Sequence, residues 1–179
     1  MEIKPTPLKD CYVIHHDLHK DDRGYFMEAF NRTRFKEFGL DFSVEQINIA
    51  ESKKDVFRGL HFQLNPFAQT KIVSTLSGAV IDLVVDLRKT SESYLQYFKI
   101  KLDTPDKALF IPKGFAHGYF TLEDHTSFQY AVDQPYHAAS ERSLSIYDPI
   151  LNIKGDFTRA LISPKDLASQ SFSTIEQEL

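Results

Sequence analysis

Four side chains in one short span carry the means to move a proton next to a negative charge: Arg58, His61, Gln63 and Lys71. A neutral imidazole accepts a proton near pH 7. A guanidinium and an ammonium hold an anion, one as a planar fork and the other as a point charge. The segments that carry them, Val56 to Gln63 and Gln69 to Val73, are rich in branched and aromatic residues. They read as the two strands of a hairpin joined by a loop containing Asn65-Pro66. Strict alternation places His61 and Gln63 on the face of Phe57, and Arg58 with Leu60 and Phe62. A bulge at Gly59 would turn Arg58 onto the face of His61. Histidine, arginine and lysine would then converge on one concave sheet that suits an anionic ligand with one proton to be moved. The plainer alternative is a strand with a solvated arginine and a packed histidine.

The elements that must position these groups follow from the rest of the chain. Leu8 to His16 and Gly24 to Phe30 read as strands, and Asn31 caps a short helix ending at Phe38–Gly39, with Phe35 and Phe38 docking one face. Phe42 to Ala50 alternates, with Gln46 and Asn48 on one face, where two amides either pair with a neighbour or read a ligand's hydrogen-bonding edge. Further strands are Ala79 to Asp86, Tyr94 to Leu102, Ala108 to Pro112, Ala116 to Leu122, Thr126 to Val132 and Arg142 to Tyr147. Ser163-Pro164-Lys165-Asp166 has the form of a helix start. The tail from Phe172 to Leu179 is short and polar and is expected to be partly loose. About ten short strands with small helices give an all-β sandwich or barrel, and no repeat or linker divides residues 1–179 into more than one domain. Edge strands need protection, which makes a homodimer a natural solution.

Composition narrows the function. The formal charge is −4, which argues against nucleic acid as the main partner. The single cysteine, Cys11, excludes an internal disulfide and a cysteine metal cage. No apolar run approaches the ~20 residues of a membrane span, and the N-terminus lacks a signal-peptide pattern, so a cytoplasmic protein is the default. Adjacent His15 and His16 point to opposite faces of a strand. His61, Gln63 and His117 make a weak metal set that Lys71 would further disfavour.

Pro112-Lys113-Gly114-Phe115-Ala116-His117 matches the P-x-G-x-x-H motif of cupin barrels, while Gln63 and Lys71 stand where a metal cupin would place a ligand His and Glu. Beyond that motif the chain resembles the dTDP-4-dehydrorhamnose 3,5-epimerase family of metal-free cupins. The resemblance rests on blocks in order along nearly the whole chain: Asp22-Arg23-Gly24-Tyr25-Phe26 with Glu28; Gln46-Ile47-Asn48; Arg58-Gly59-Leu60-His61-Phe62-Gln63; Gln69-Thr70-Lys71; Asp82 through Arg88; Ile111 through Gly118; Tyr130 and Tyr136; Asp148-Pro149; and Ser163-Pro164-Lys165-Asp166.

The resemblance implies a jelly-roll β-barrel with a few peripheral helices and an isomerase that needs no metal or other cofactor. Its substrate would be a dTDP-4-keto-6-deoxyhexose, inverted at C3 and C5, the two carbons flanking the ketone. It implies His61 as base, Asp166 as the carboxylate that orients it, Tyr130 as acid on the opposite face, and Lys71 as the stabiliser of the enolate oxygen. Arg58 and Lys165 would bind the diphosphate, and Gln46 and Asn48 would lie near the nucleotide. Arg23, Phe26 and Glu28 would contact substrate, with Arg23 and Glu28 reaching in from a partner subunit of a homodimer. His117, Tyr136 and Glu141 match further pocket positions, while Asp82, Asp86 and Arg88 read as structural ion pairing. Two departures, Ala131 in place of a usual Lys and the absence of the usual tryptophans near Asp148, where Tyr147 and Ile153-Lys154-Gly155 stand instead, leave open an enzyme inverting C3 only or C5 only. A non-catalytic sugar-nucleotide-binding cupin is the alternative of another class.

Overall fold

The computed structural model describes residues 1–179. Its strands in chain order are β1 (Glu2–Pro5), β2 (Tyr12–His15), β3 (His19–Asp21), β4 (Gly24–Phe26), β5 (Gln46–Ser52), β6 (Val56–Gln63), β7 (Lys71–Ser77), β8 (Val80–Asp86), β9 (Tyr97–Leu102), β10 (Lys107–Ile111), β11 (Phe115–Thr121), β12 (Thr126–Val132), β13 (Glu141–Ser143) and β14 (Leu161–Ile162). Three short helices, α1 (Arg32–Glu37), α2 (Pro164–Leu167) and α3 (Phe172–Ile175), lie among them. One sheet has the order β1-β2-β10-β7-β12-β5, the other β13-β6-β11-β8-β9 with β14 added against β6, and β3 and β4 form a separate hairpin. The two large sheets make the expected all-β jelly-roll barrel with small peripheral helices.

Three apolar layers hold the barrel. Between the sheets lie Val73, Val80, Val84, Leu109, Phe115, Tyr119 and Phe128. On the outer face of the first sheet, Ile14, Ile72, Ala108, Phe110 and Ala131 are covered by Phe35 of α1 and by Leu40 and Phe42. On the outer face of the second, Phe57, Leu60, Leu83 and Val85 are covered by the C-terminal segment through Leu144, Leu151, Phe172 and Ile175. Central strands are therefore buried on both faces, which is why Val80 to Val85 and Ala108 to Ile111 read as near-continuous apolar runs rather than clean alternations. The tail is correspondingly packed, not loose: Phe172 and Ile175 are 2% and 0% exposed.

The first helix has its cap where the sequence places it, with the Asn31 side chain accepting from the Arg34 backbone N–H. Only Phe35 docks; Phe38 is 48% exposed. The second strand expected from Gly24 to Phe30 stops at Phe26, because β3 and β4 pair only with each other and no third strand extends them.

The largest correction concerns β6 and β7. They are not a hairpin: β6 pairs with β11 and β13, and β7 lies between β10 and β12 in the other sheet. The loop containing Asn65-Pro66 carries the chain from one sheet to the other. Strand propensity is a local property, whereas the choice of partner strand is not. His61 and Lys71 consequently approach the interior from facing walls, not from a single sheet.

Candidate active site

A bulge in β6 creates the site. In the pairing with β11, His61 lies opposite His117 and Arg58 opposite Tyr119, so Gly59 and Leu60 together face the single residue Gly118. Gly59 has φ of +137°, and a Cβ placed there would sit 2.5 Å from the Gly118 Cα. Only glycine fits both demands. The bulge brings Arg58 onto the same cavity as His61, as the glycine suggested.

That cavity, about 530 Å³, opens between the two sheets. From the second sheet it receives Arg58, His61, Gln63, His117, Tyr119 and Glu141; from the first, Gln46, Asn48, Lys71 and Tyr130. The Gln134–His137 connection adds Tyr136, and the start of α2 adds Ser163, Lys165 and Asp166.

His61 Nε2 lies 2.7 Å from Asp166 Oδ1. Asp166 owes its place to the helix start, where the Ser163 hydroxyl accepts from the Asp166 backbone N–H at 3.1 Å and Pro164 occupies the first turn. Burial alone would push the Asp166 carboxyl up. The His61 contact and the Ser163 and Gly59 hydrogen bonds outweigh it and hold the group below the ordinary carboxylate range. The result is a fixed anion behind a part-exposed imidazole.

On the facing wall Tyr130 is half-buried. Burial raises its phenol pKa against the lowering effect of Arg58, so the hydroxyl keeps its proton at neutral pH. Lys71 is 7% exposed. Desolvation brings its ammonium from 10.5 down to about 8, opposed by the charges of Asp82 and Glu141. A second imidazole–carboxylate pair, His117 Nε2 to Asp82 Oδ2 at 2.8 Å, is fully buried.

Polar side chains surround this centre. Arg58 Nε donates to Ser52 Oγ at 3.1 Å. Gln46 Nε2 donates to Asn48 Oδ1 at 2.8 Å, so the two amides pair and also face the cavity. At the mouth, Glu141 Oε2 accepts from Lys165 Nζ at 2.7 Å and from the Tyr136 hydroxyl at 2.9 Å. No group of three or more His, Cys, Asp or Glu side chains is arranged to hold a metal ion.

The family model described as dTDP-4-dehydrorhamnose 3,5-epimerase matches residues 5–174. The chain belongs to the dTDP-4-dehydrorhamnose 3,5-epimerase family. It is 37% identical over 174 residues to the enzyme of that name from Shigella flexneri, covering 96% of each chain. Among solved structures it resembles the Legionella pneumophila dTDP-6-deoxy-D-glucose-3,5-epimerase in complex with dTDP-4-keto-L-rhamnose. There the TM-score is 0.92 at 35% identity, covering 99% of this chain and 95% of that one. It also resembles ChmJ, a 3′-monoepimerase from Streptomyces bikiniensis in complex with dTDP-quinovose, with TM-score 0.88 at 28% identity, covering 97% and 89%.

Eleven of the residues expected in the epimerase-family site line the one cavity: His61, Tyr130, Asp166, Lys71, Gln46, Asn48, Arg58, His117, Tyr136, Glu141 and Lys165. Arg23, Phe26 and Glu28 lie outside it. Arg23 is 89% exposed on the β3–β4 hairpin, paired with Asp21. Phe26 is 69% exposed, and Glu28 bonds to Asn31 and Arg34. Asp86 and Arg88 form the ion pair read from the sequence, but Asp82 binds His117 instead. Its signal was present: one carboxylate between Val80 and Val84 on an interior face must find a partner. Tyr119 was missed as a lining residue, since a strand tyrosine carries no distinctive pattern, while Gln69 and Ser163 stood in matching blocks without being given a place in the pocket. Ala131 packs in the outer layer with Ile14 and Phe110, and Tyr147 is not among the lining residues. Neither Ala131 nor Tyr147 therefore forms part of the cavity wall.

Proposed function

We propose that this protein inverts C3 and C5 of a dTDP-4-keto-6-deoxyhexose by removing a proton beside the ketone on one face of the ring and returning one on the other. The observation that carries the reading is the disposition of His61–Asp166 on one wall of the cavity and Tyr130 on the facing wall, with the buried Lys71 ammonium on the same cavity. A proton on a carbon next to a ketone leaves as the electron pair moves into an enolate. Neutral His61 takes that proton, and Asp166 holds the ring in the right tautomer and stabilises the imidazolium. Lys71 stabilises the enolate oxygen from a buried position, where such a charge has the most effect. Tyr130, its proton retained by burial, delivers a proton from the opposite face. Arg58 and Lys165 are placed to take the diphosphate.

Residues 1–179 act in this reading as one domain. The exposed hairpin bearing Arg23, Phe26 and Glu28 fits a second copy's site better than its own. The edge strand β5, with Ile47 and Ile49 56% and 63% exposed, supports a homodimer as the way that surface is covered.

The test is proton NMR of dTDP-4-keto-6-deoxyglucose with the protein in heavy water. Deuterium enters at both carbons flanking the ketone. Entry at one carbon only would make the protein a monoepimerase, the activity that the name of its relative ChmJ records. Binding of dTDP without any exchange would reduce it to a binding module. Replacing His61 by Ala abolishes exchange at both positions.

A further inference from the structure

Gln63 occupies a place on β6 where its side chain was read only as a mark of a missing metal ligand. It is 5% exposed, and every hydrogen of its amide is used. Nε2 donates to Phe67 O at 2.6 Å and to Pro135 O at 3.3 Å, while Oε1 accepts from the His137 backbone N–H at 2.7 Å. The Pro135 carbonyl belongs to the peptide before Tyr136, and the His137 N–H belongs to the peptide after it. The remaining N–H at that position, that of Tyr136 itself, is held by Gln46 Oε1 at 2.9 Å. Two glutamines, one from β5 in the first sheet and one from β6 in the second, thus fasten the backbone on either side of Tyr136.

The same connection is sewn to the β6–β7 loop by Gln69 Nε2 to Gln134 O at 2.8 Å and by stacking of Phe67 on His137 with ring centroids 3.8 Å apart. Tyr136 itself is 55% exposed. Its ring has little packing of its own, so its position depends on the backbone beneath it. From that position its hydroxyl holds Glu141, which in turn holds Lys165 beside Asp166.

We infer that Gln63 is a positioning residue: together with Gln46 it clasps the two sheets across the cavity mouth and sets Tyr136, and through Tyr136 the Glu141–Lys165 pair, where the substrate enters. This rests on the epimerase reading for the identity of the substrate. The chemistry at His61, Tyr130 and Lys71 does not pass through this clasp, so its loss acts on binding.

The experiment compares the wild type with Q63L, Q63E, Y136A and the double variant Q63L/Y136A. Q63L removes both donors and the acceptor and raises KM by about tenfold or more, with kcat within about threefold. In the Y136A background it adds no further rise, because the residue it positions is gone. Q63E keeps the size and the acceptor but turns a carboxylate oxygen toward two carbonyls. Its KM falls toward the wild-type value as the pH is lowered and the carboxyl gains a proton to donate, a dependence that a packing defect would not produce. Amide exchange of the Gln134–His137 segment speeds up in Q63L while β6 and β11 stay protected. Equal rises in KM with and without Tyr136, or unchanged exchange in that segment, would overturn the inference. Should Q63L fail to fold, the pH response of Q63E decides. Calorimetric titration with dTDP, which has no ketone to react, reads affinity without turnover, so a wild type that binds but exchanges no solvent deuterium into the keto sugar nucleotide refutes the epimerase reading and leaves the clasp testable.

Discussion

Replacing Asp166 by Asn isolates the contribution of one charge. The carboxylate lies 2.7 Å from His61 Nε2 and its side chain is 6% exposed, so water does little to screen it. Asn keeps the size and an acceptor oxygen. The helix start survives as well, since the Ser163 hydroxyl still accepts from the backbone N–H of residue 166. What is lost is the charge that favours the imidazolium. A hydrogen bond to a charged group contributes about 1.5–3 kcal/mol, and each ~1.4 kcal/mol is tenfold in rate. D166N therefore lowers the rate of solvent-deuterium entry roughly 10- to 100-fold, with KM little changed. The rate is followed by proton NMR in heavy water under single-turnover conditions.

The same substitution has a stability signature. The Asp166 pKa lies below its ordinary 3.8 in the folded protein. Its stabilising effect is complete above that unfolded value and is lost as pH falls through the lower folded one. The wild type thus loses more thermal stability than D166N on acidification below about pH 4. Exchange by D166N within about threefold of the wild-type rate, at unchanged thermal stability near neutral pH, would refute the assignment of Asp166 as the partner of the base.

Two further predictions concern the facing wall. Lys71, with its pKa brought down to about 8 from 10.5 by burial, bears a charge that the fold disfavours at pH 7. K71M accordingly raises stability at pH 7 by on the order of 3 kcal/mol in denaturant titration. That advantage shrinks as the pH climbs from about 8 toward 10.5 and wild-type Lys71 deprotonates in the folded state first. In the same wild-type protein kcat/KM falls above about pH 8, and K71M loses about 10²–10³ in kcat. Tyr130→Phe removes only the proposed donor, so deuterium entry through His61 persists while inversion, read by coupling to a 4-ketoreductase, falls by about 10²-fold or more. Equal loss of both, or of neither, would remove Tyr130 as the acid.

Much of this was written locally. Gly59 between Arg58 and His61 announced the bulge, because no other residue accepts φ of +137° against the Gly118 backbone. Ser163-Pro164-Lys165-Asp166 announced a helix start, because capping chemistry needs only four neighbouring residues. Apolar runs such as Val80 to Val85 announced strands, and ordered blocks along the chain announced the family. Other readings failed for want of a partner. The tail looked polar by count, yet Phe172 and Ile175 seal the outer face of the second sheet. Asp82 looked like a mate for Arg88, yet the alternation of β8 turns it inward to His117.

The sequence by itself therefore determined which residues have the types the proposed chemistry needs and which turns aim them, since residue type, backbone freedom and capping act over a few positions. Only the tertiary structure decided which wall each group stands on. β6 and β7 are neighbours in the chain but belong to different sheets, because strand pairing is settled by burial of both faces over long separations and not by proximity in sequence. That division sets Lys71 and Tyr130 on the wall facing His61. It also draws Asp166 from 105 residues away to within 2.7 Å of the imidazole, and leaves Gln63 free to fasten the mouth between the two sheets.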